Sequence, residues 1–396
     1  MASNVKNLSK KLNIDLKTYT MVFALIFIWI IFGALTNGLF FSARNMSNLF
    51  RQMSIISFLA CGMVLIIVAN NIDLSVGSVV GLVSAVTAFL QAYTFPKILP
   101  GLFPNMDIVT IGIISTVITF ILGIVVGLLV GLIQGGLIAY LKIPAFIVTL
   151  GGMMIFRGGV LGITQGKTIV PIEPSFTWIA QDYVPKNIGF IIGLFVVAYI
   201  FLQSLQSRKK KKDYGFEMNS IVIDLVKAGF FSALVMAYVI YMNLYRGIQN
   251  PVFLLAIVAV GVHYLANNTR FGRYTYAIGG NEEAARLSGV DIKKTVFGGF
   301  VLMGILCGIS GNILTGYVAA GTTGGGNNYE LDTIAACIIG GTSFSGGIGT
   351  ILGAIVGSLV MASLLNGLSV LNVDIFWQYI IKGIVLILAV YIDVKY

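Results

Sequence analysis

Twelve stretches of this chain are apolar for long enough to approach or exceed the span of a lipid bilayer. That governs what the chain can fold into. A helix needs about 20 apolar residues to cross the hydrocarbon. Backbone groups find no water there, so only helices and closed barrels satisfy them. The runs are Thr20–Phe41, Met53–Asn70, Val76–Tyr93, Ile108–Leu141, Ile143–Ile163 and Ile188–Leu205. They continue as Leu225–Tyr245, Pro251–Ala266, Thr295–Val318, Tyr329–Phe344, Ile348–Leu371 and Ile375–Tyr391. Composition agrees: 57% of the 396 residues are hydrophobic and 10% are charged. A soluble chain carries about 25% charged residues. Disorder is excluded by the same figures. The expected fold is an all-α polytopic membrane protein of about 12 transmembrane helices. Thr20–Phe41 is too long for the core of a signal peptide, and no small-residue cleavage site follows, so it reads as a retained first helix.

The net charge of +10 follows from topology. With the N-terminus inside, 17 of the 25 Lys and Arg fall in inner segments. Arg44, Arg51, Lys97, Arg157, Lys167, Lys186 and Arg246 fall outside, and Lys382 lies within a run. The asymmetry favours an N-in, C-in chain. Residues 1–19 then form a cytoplasmic tail and 20–396 a transmembrane domain with two long inner loops, 206–224 and 267–294. The basic run Arg208–Lys212 reads as a solvated stretch that fixes topology, not as a nucleic-acid surface. The outer loop Thr164–Asn187, with Pro171, Pro174 and Pro185, reads as ordered turns or a short surface helix.

Several chemistries are excluded. Cys61, Cys307 and Cys337 all lie in apolar runs with no CxxC spacing, and His263 is the only histidine, a packing or interface residue. No metal site or catalytic triad can be assembled from these. Gly162–Thr168 has three residues between its glycines where a Walker A loop needs four, and it follows a membrane helix. The chain therefore offers no ATPase site of that type.

Glycines and intramembrane polar groups carry the remaining information. Gly123, Gly127, Gly131 and Gly135 recur every four residues, as do Gly349, Gly353 and Gly357, a spacing that lets helix backbones approach closely. Two breaks, Asn71–Gly77 and Gly341–Gly347, each precede a small-residue helix and echo one another. At the first, Asp73 and Ser75 suit a helix cap or a pathway lining. Glu330, Asp332 and Asp374 read as caps of the helices they begin or precede. Lys382, in mid-helix, requires a partner that the sequence does not name. Thr342, Ser343 and Phe344 join Asp73 and Ser75 as candidate substrate-pathway or gate residues.

The loop 267–294 holds the sharpest signal. Asn281 is a good N-cap, Glu282 and Glu283 suit a first turn, Ala284, Ala285, Arg286 and Leu287 continue it, and Gly289 is a natural stop. A two-turn surface helix follows from this, shaped for a groove on another protein or for lying against lipid headgroups.

Glu283-Ala-Ala with Gly289 resembles the EAA-x3-G element of ABC importer permeases. Ile72–Ser78, Ala277–Asn281, Glu330–Ser343 and Phe376–Lys382 are similar to the monosaccharide branch, with the xylose-type permeases nearest, including the basic insertion near Arg208. Asn70-Asn71 departs from that pattern. The resemblance covers Met53 to the C-terminus. It implies a coupling helix at Asn281–Gly289 that docks on an ABC ATPase subunit. It also implies an extracytoplasmic sugar-binding protein, a second permease copy or a related chain, and residence in the bacterial plasma (inner) membrane. No cofactor is expected on this chain, since ATP and magnesium belong to the ATPase. The competing reading is an ion-coupled secondary transporter with Asp73 and Lys382 as its relay.

Overall fold

The computed structural model describes residues 16–215 and 220–395. The first 15 residues of the expected tail, with Lys6, Lys10 and Lys11, lie outside the described residues. The described residues are mostly helical: α1 Leu16–Leu35, α2 Ala43–Val68, α3 Val76–Phe89, α4 Ile108–Ala139 and α5 Ala145–Thr164. Then follow α6 Pro174–Gln181, α7 Lys186–Asp213, α8 Ile221–Asn243, α9 Asn250–Asn268, α10 Arg270–Gly280 and α11 Glu282–Leu287. The last four are α12 Ile292–Val318, α13 Tyr329–Ile339, α14 Ile351–Val370 and α15 Ile375–Lys395. A π-helical turn at Leu90–Thr94 carries α3 on into a short helix at Phe95–Leu102. Among the described residues, nine helical stretches are long and apolar enough to span, and two shorter apolar ones lie at Met21–Leu35 and Ile375–Tyr391.

The tenth apolar run makes a helix too short to span. Tyr329–Phe344 makes only the 11-residue α13 before the chain turns at Gly340 and Gly341. At about 1.5 Å per residue that is roughly half the hydrocarbon thickness. Length in apolar residues could not reveal this, because the turn is itself built from glycine and isoleucine. The basic run is also not loop: Arg208–Lys212 continues α7 to Asp213, and Arg208 pairs with Asp224 at the start of α8, 2.8 Å away. Arg157, counted above among the outer cations, lies inside α5. The segment 164–187, expected on the outer side, folds as a short helix, α6, with turns, and is pinned by bridges Ile169–Gly321 and Tyr183–Gln249. His263 sits on the exposed side of α9 beside Asn267, so its packing role is not with this chain's core.

The core is organised on α2. From Ser57 to Val68 every one of its residues is buried, and the helix packs among α9, α12, α13 and α14. Glycine sets the closest approach. A methyl group on Gly127 of α4 would meet the Gly304 carbonyl and the Gly308 backbone of α12, and one on Gly131 would meet the Phe300 carbonyl. The other glycine row fits α14 to α13, with Gly357 against the Ala336 carbonyl and Gly353 against Gly340. These seams need backbone contact because lipid offers no hydrophobic force to press helices together. α7 and α8 form a peripheral hairpin, exposed along most of its length.

Candidate functional site

The short helix α11 stands out from the body. Asn281 caps it, its Oδ1 accepting the Ala284 N–H at 2.9 Å. Glu282 and Glu283 fill its first turn, where carboxylates oppose the helix dipole. Gly289 closes it at φ +82°, and the Val290 N–H reaches back to the Ala285 carbonyl at 3.1 Å. Only Ala285 of α11 is buried, and Leu287 stands 79% exposed. Glu283 and Arg286 pair with each other on the surface. Beyond the stop, Asp291 caps α12, its carboxylate accepting the Lys294 N–H at 3.0 Å, a bond that holds the carboxyl below its usual range.

The base of α11 is buried in a three-way joint. Gly279, two residues before Asn281, lies so close to the Val68 carbonyl at the end of α2 that no side chain could fit. Asn70 donates from its amide to the Gly279 carbonyl at 3.2 Å. Gly347 donates its N–H to the Val68 carbonyl at 3.0 Å. Tyr276 of α10 adds a hydroxyl bond to the Gly349 carbonyl at 2.8 Å. The root of α11 therefore touches both helix breaks at once. Asn70 holds φ +58° at the junction, a conformation that asparagine tolerates better than most residues.

The two breaks lead to different surroundings. In the first, Asp73 is buried and its Oδ1 accepts from the Ser75 N–H and hydroxyl at 2.8 and 2.6 Å. Ser75 also bonds Gln134 of α4. In the second, Thr342 is fully buried with an unpartnered hydroxyl. The Asp393 carboxylate of α15 takes the Phe344 N–H at 2.9 Å and the Ser343 hydroxyl at 3.4 Å. Phe344 is 40% exposed. Asp73 and Ser75 thus bond towards Gln134 of α4, and Ser343 and Phe344 towards Asp393 of α15. Among the described residues, no three His, Cys, Asp or Glu side chains gather as a metal site.

A family model described as the branched-chain amino acid transport system permease component matches residues 45–390. The chain belongs to that family. It is 41% identical over 384 residues to the xylose transport system permease protein XylH of Haemophilus influenzae, covering 96% of this chain and 97% of that one. Its identity to XylH of Escherichia coli K12 is 41% over 382 residues, 96% and 92% of the two chains. The ribose import permease protein RbsC of Bacillus subtilis is 34% identical over 370 residues, 93% of this chain and 91% of that one. No solved structure matches. This family member is a multi-pass protein of the bacterial plasma membrane.

The charged groups of this permease are arranged differently from the sequence reading. Asp332 does not cap α13: that place is taken by Asn328, at φ +61° and with no side-chain cap. Asp332 instead receives the Lys382 ammonium at 2.8 Å, a pair that joins α13 to α15. Lys382 and Asp393 are eleven residues apart, close to three helical turns, so both lie on one face of α15. They grip α13 and the break that follows it. Arg157, Gln134 and Asp393 were missed as site residues. Arg157 carried a signal, a cation inside the run Ile143–Ile163. Gln134 and Asp393 are ordinary in sequence and become notable only through their contacts.

Proposed function

We propose that this chain is the membrane-spanning permease subunit of an ATP-driven importer of a monosaccharide, xylose or a similar pentose or hexose. The observation that carries the reading is α11: a capped, exposed helix whose buried root is fastened to both intramembrane breaks. The names of its relatives, xylose and ribose permeases aligned over nine-tenths of the chain, supply the substrate class. α11 is the coupling helix, with Asn281, Glu282, Glu283, Ala284, Ala285, Arg286, Leu287 and Gly289 as its docking and capping residues. Leu287 is the exposed apolar knob that an ATPase groove would cover. ATP and magnesium sit on that partner, and this chain contributes no ATPase site. A sugar-binding protein delivers substrate on the outer face.

Two copies, or this chain and a related one, enclose the pathway. Support comes from α5. Gly151, Gly158 and Gly162 have nothing of their own chain within 4 Å, leaving a small-residue face turned outward. Half-buried Arg157 on the same helix would be costly against lipid alone. The ion-coupled alternative takes Asp73 and Lys382 as its relay, and these are engaged, Lys382 with Asp332 and Asp73 with Ser75.

Purification from native membranes in mild detergent tests the reading. An ATPase co-purifies with the intact chain and is lost when 279–294 is replaced by a Gly/Ser linker. Absence of any ATPase from the intact chain would overturn it.

A further inference from the structure

α7 is longer than a span requires, and its far end is basic. The helix has 28 residues, about 42 Å at 1.5 Å per residue, against about 30 Å of hydrocarbon. Its apolar run opens at Ile188, so about 20 residues of span end near Ser207. Arg208, Lys209, Lys210, Lys211 and Lys212 therefore stand at headgroup level, on the side that the charge asymmetry favours as inner.

One of these cations is taken within the chain. Arg208 pairs with Asp224 of α8 at 2.8 Å and so faces the hairpin. Among the described residues, Lys209, Lys210, Lys211 and Lys212 have no carboxylate partner. At 3.6 residues per turn, Lys210 points to the far side from Arg208. There Lys210 and Lys211 line a concave strip of about 440 Å³, whereas Lys209 and Lys212 lie off it.

The strip follows one face of α7 at steps of three and four residues, through Tyr199, Gln203, Ser207, Lys210 and Tyr214. Its membrane end is Tyr199 with Leu202, 63% and 57% exposed. Gln203 and Ser207 follow as hydrogen-bond donors at the boundary, and the two lysines take the headgroup level. Apolar surface, neutral donors and cations thus succeed one another along about four turns of helix. An anionic phospholipid has the matching order: acyl carbons, ester oxygens, phosphate. A run that only fixed topology would need its charges counted, not set on a face. A soluble polyanion would use the lysines and leave Tyr199 and Leu202, at hydrocarbon depth, without a role.

We propose that this face of α7 is a binding site for an anionic phospholipid of the inner leaflet. Its phosphate rests on Lys210 and Lys211, and one chain lies along Leu202 and Tyr199. The site belongs to the peripheral hairpin, so it stands whatever solute the core transports.

The test titrates the purified full-length chain in detergent with phosphatidylglycerol or phosphatidylcholine and counts bound lipid by native mass spectrometry. Phosphatidylglycerol should bind in preference. Each lysine near an anionic surface contributes about a fivefold gain, so Lys210→Gln with Lys211→Gln should weaken binding about 25-fold. Lys209→Gln with Lys212→Gln removes the same charge from outside the strip and should cost about fivefold or less. All four lysines are exposed, so both variants should keep the unfolding midpoint of the parent. Leu202→Gln leaves every charge in place, which guards against a change of topology, and should weaken binding roughly fivefold. Glycerol 3-phosphate, the phosphate without chains, should not displace the lipid. Equal losses in the two lysine variants would reduce the run to unspecific attraction and overturn the site, as would equal binding of the two lipids. Parent-like binding in Leu202→Gln would overturn the seat of the chain. Displacement by glycerol 3-phosphate would overturn the lipid as ligand and put a soluble phosphate in its place.

Discussion

The ion pair Lys382–Asp332 shows how much one residue pair can decide. Its side chains are 20% and 4% exposed, and it joins a short helix to the last one. A buried pair is not necessarily stabilising compared with apolar residues, but half a pair is costly. Lys382→Met should therefore destabilise the detergent-solubilised chain by about 3–5 kcal/mol, and Lys382→Met with Asp332→Leu should restore most of that. Thermal unfolding of the two variants checks it, and a single variant as stable as the parent would show that the pair is not closed in the membrane protein. Lys382 was legible as a charge in need of company. Asp332 was not legible as that company, because it lies 50 residues away at the start of a helix, where capping is the ordinary use of an aspartate. The same limit hid Gln134 and Asp393: their residue types are commonplace, and only the fold brings them to Ser75 and Phe344.

At the scale of elements, the apolar runs were legible because lipid imposes both length and composition on a span: among the described residues nine helices are long and apolar enough to cross, and two apolar ones are shorter. The run Tyr329–Phe344 failed the same test since an 11-residue helix with its turn is as apolar as a span, and what shortens it is the positive φ at Gly341. Glycine spacing was legible as close packing, but not which rows face inward. Gly127 and Gly158 separate the two uses. Gly127 is pressed on the α12 backbone, whereas Gly158 has nothing of its own chain within 4 Å. Gly127→Val should cost about 1–3 kcal/mol through overpacking, while Gly158→Val should leave the stability of the single chain within about 0.5 kcal/mol. Equal losses in the two would place Gly158 in an intramolecular seam and remove one support for a second copy at α5.

The whole molecule is a linkage from one exposed helix to two internal breaks. Movement of α11 reaches Gly279, which is held by Val68 and Asn70 at the end of α2, and Gly347 shares the Val68 carbonyl. α3 and α14 begin just beyond these points, and α15 is tied to the second break by Asp393 and to α13 by Lys382. A rigid displacement at α11 would thus be felt on both sides of the core, as alternating access requires. The linkage predicts a separation of two activities. Valine at position 289 must adopt φ +82°, which costs about 1–3 kcal/mol, roughly five- to 150-fold in the population of correctly closed α11. Glu283→Gln keeps the fold of α11 but removes its ion pair with Arg286 and its charge at the helix start. In the assembled transporter, Gly289→Val should lower uptake by about tenfold with hydrolysis retained, and Glu283→Gln should do so to a lesser degree. The membrane core lies outside the altered residues, so unfolding midpoints should match the parent in both. Unchanged uptake per ATP in both variants would mean that the force enters the permease elsewhere than α11.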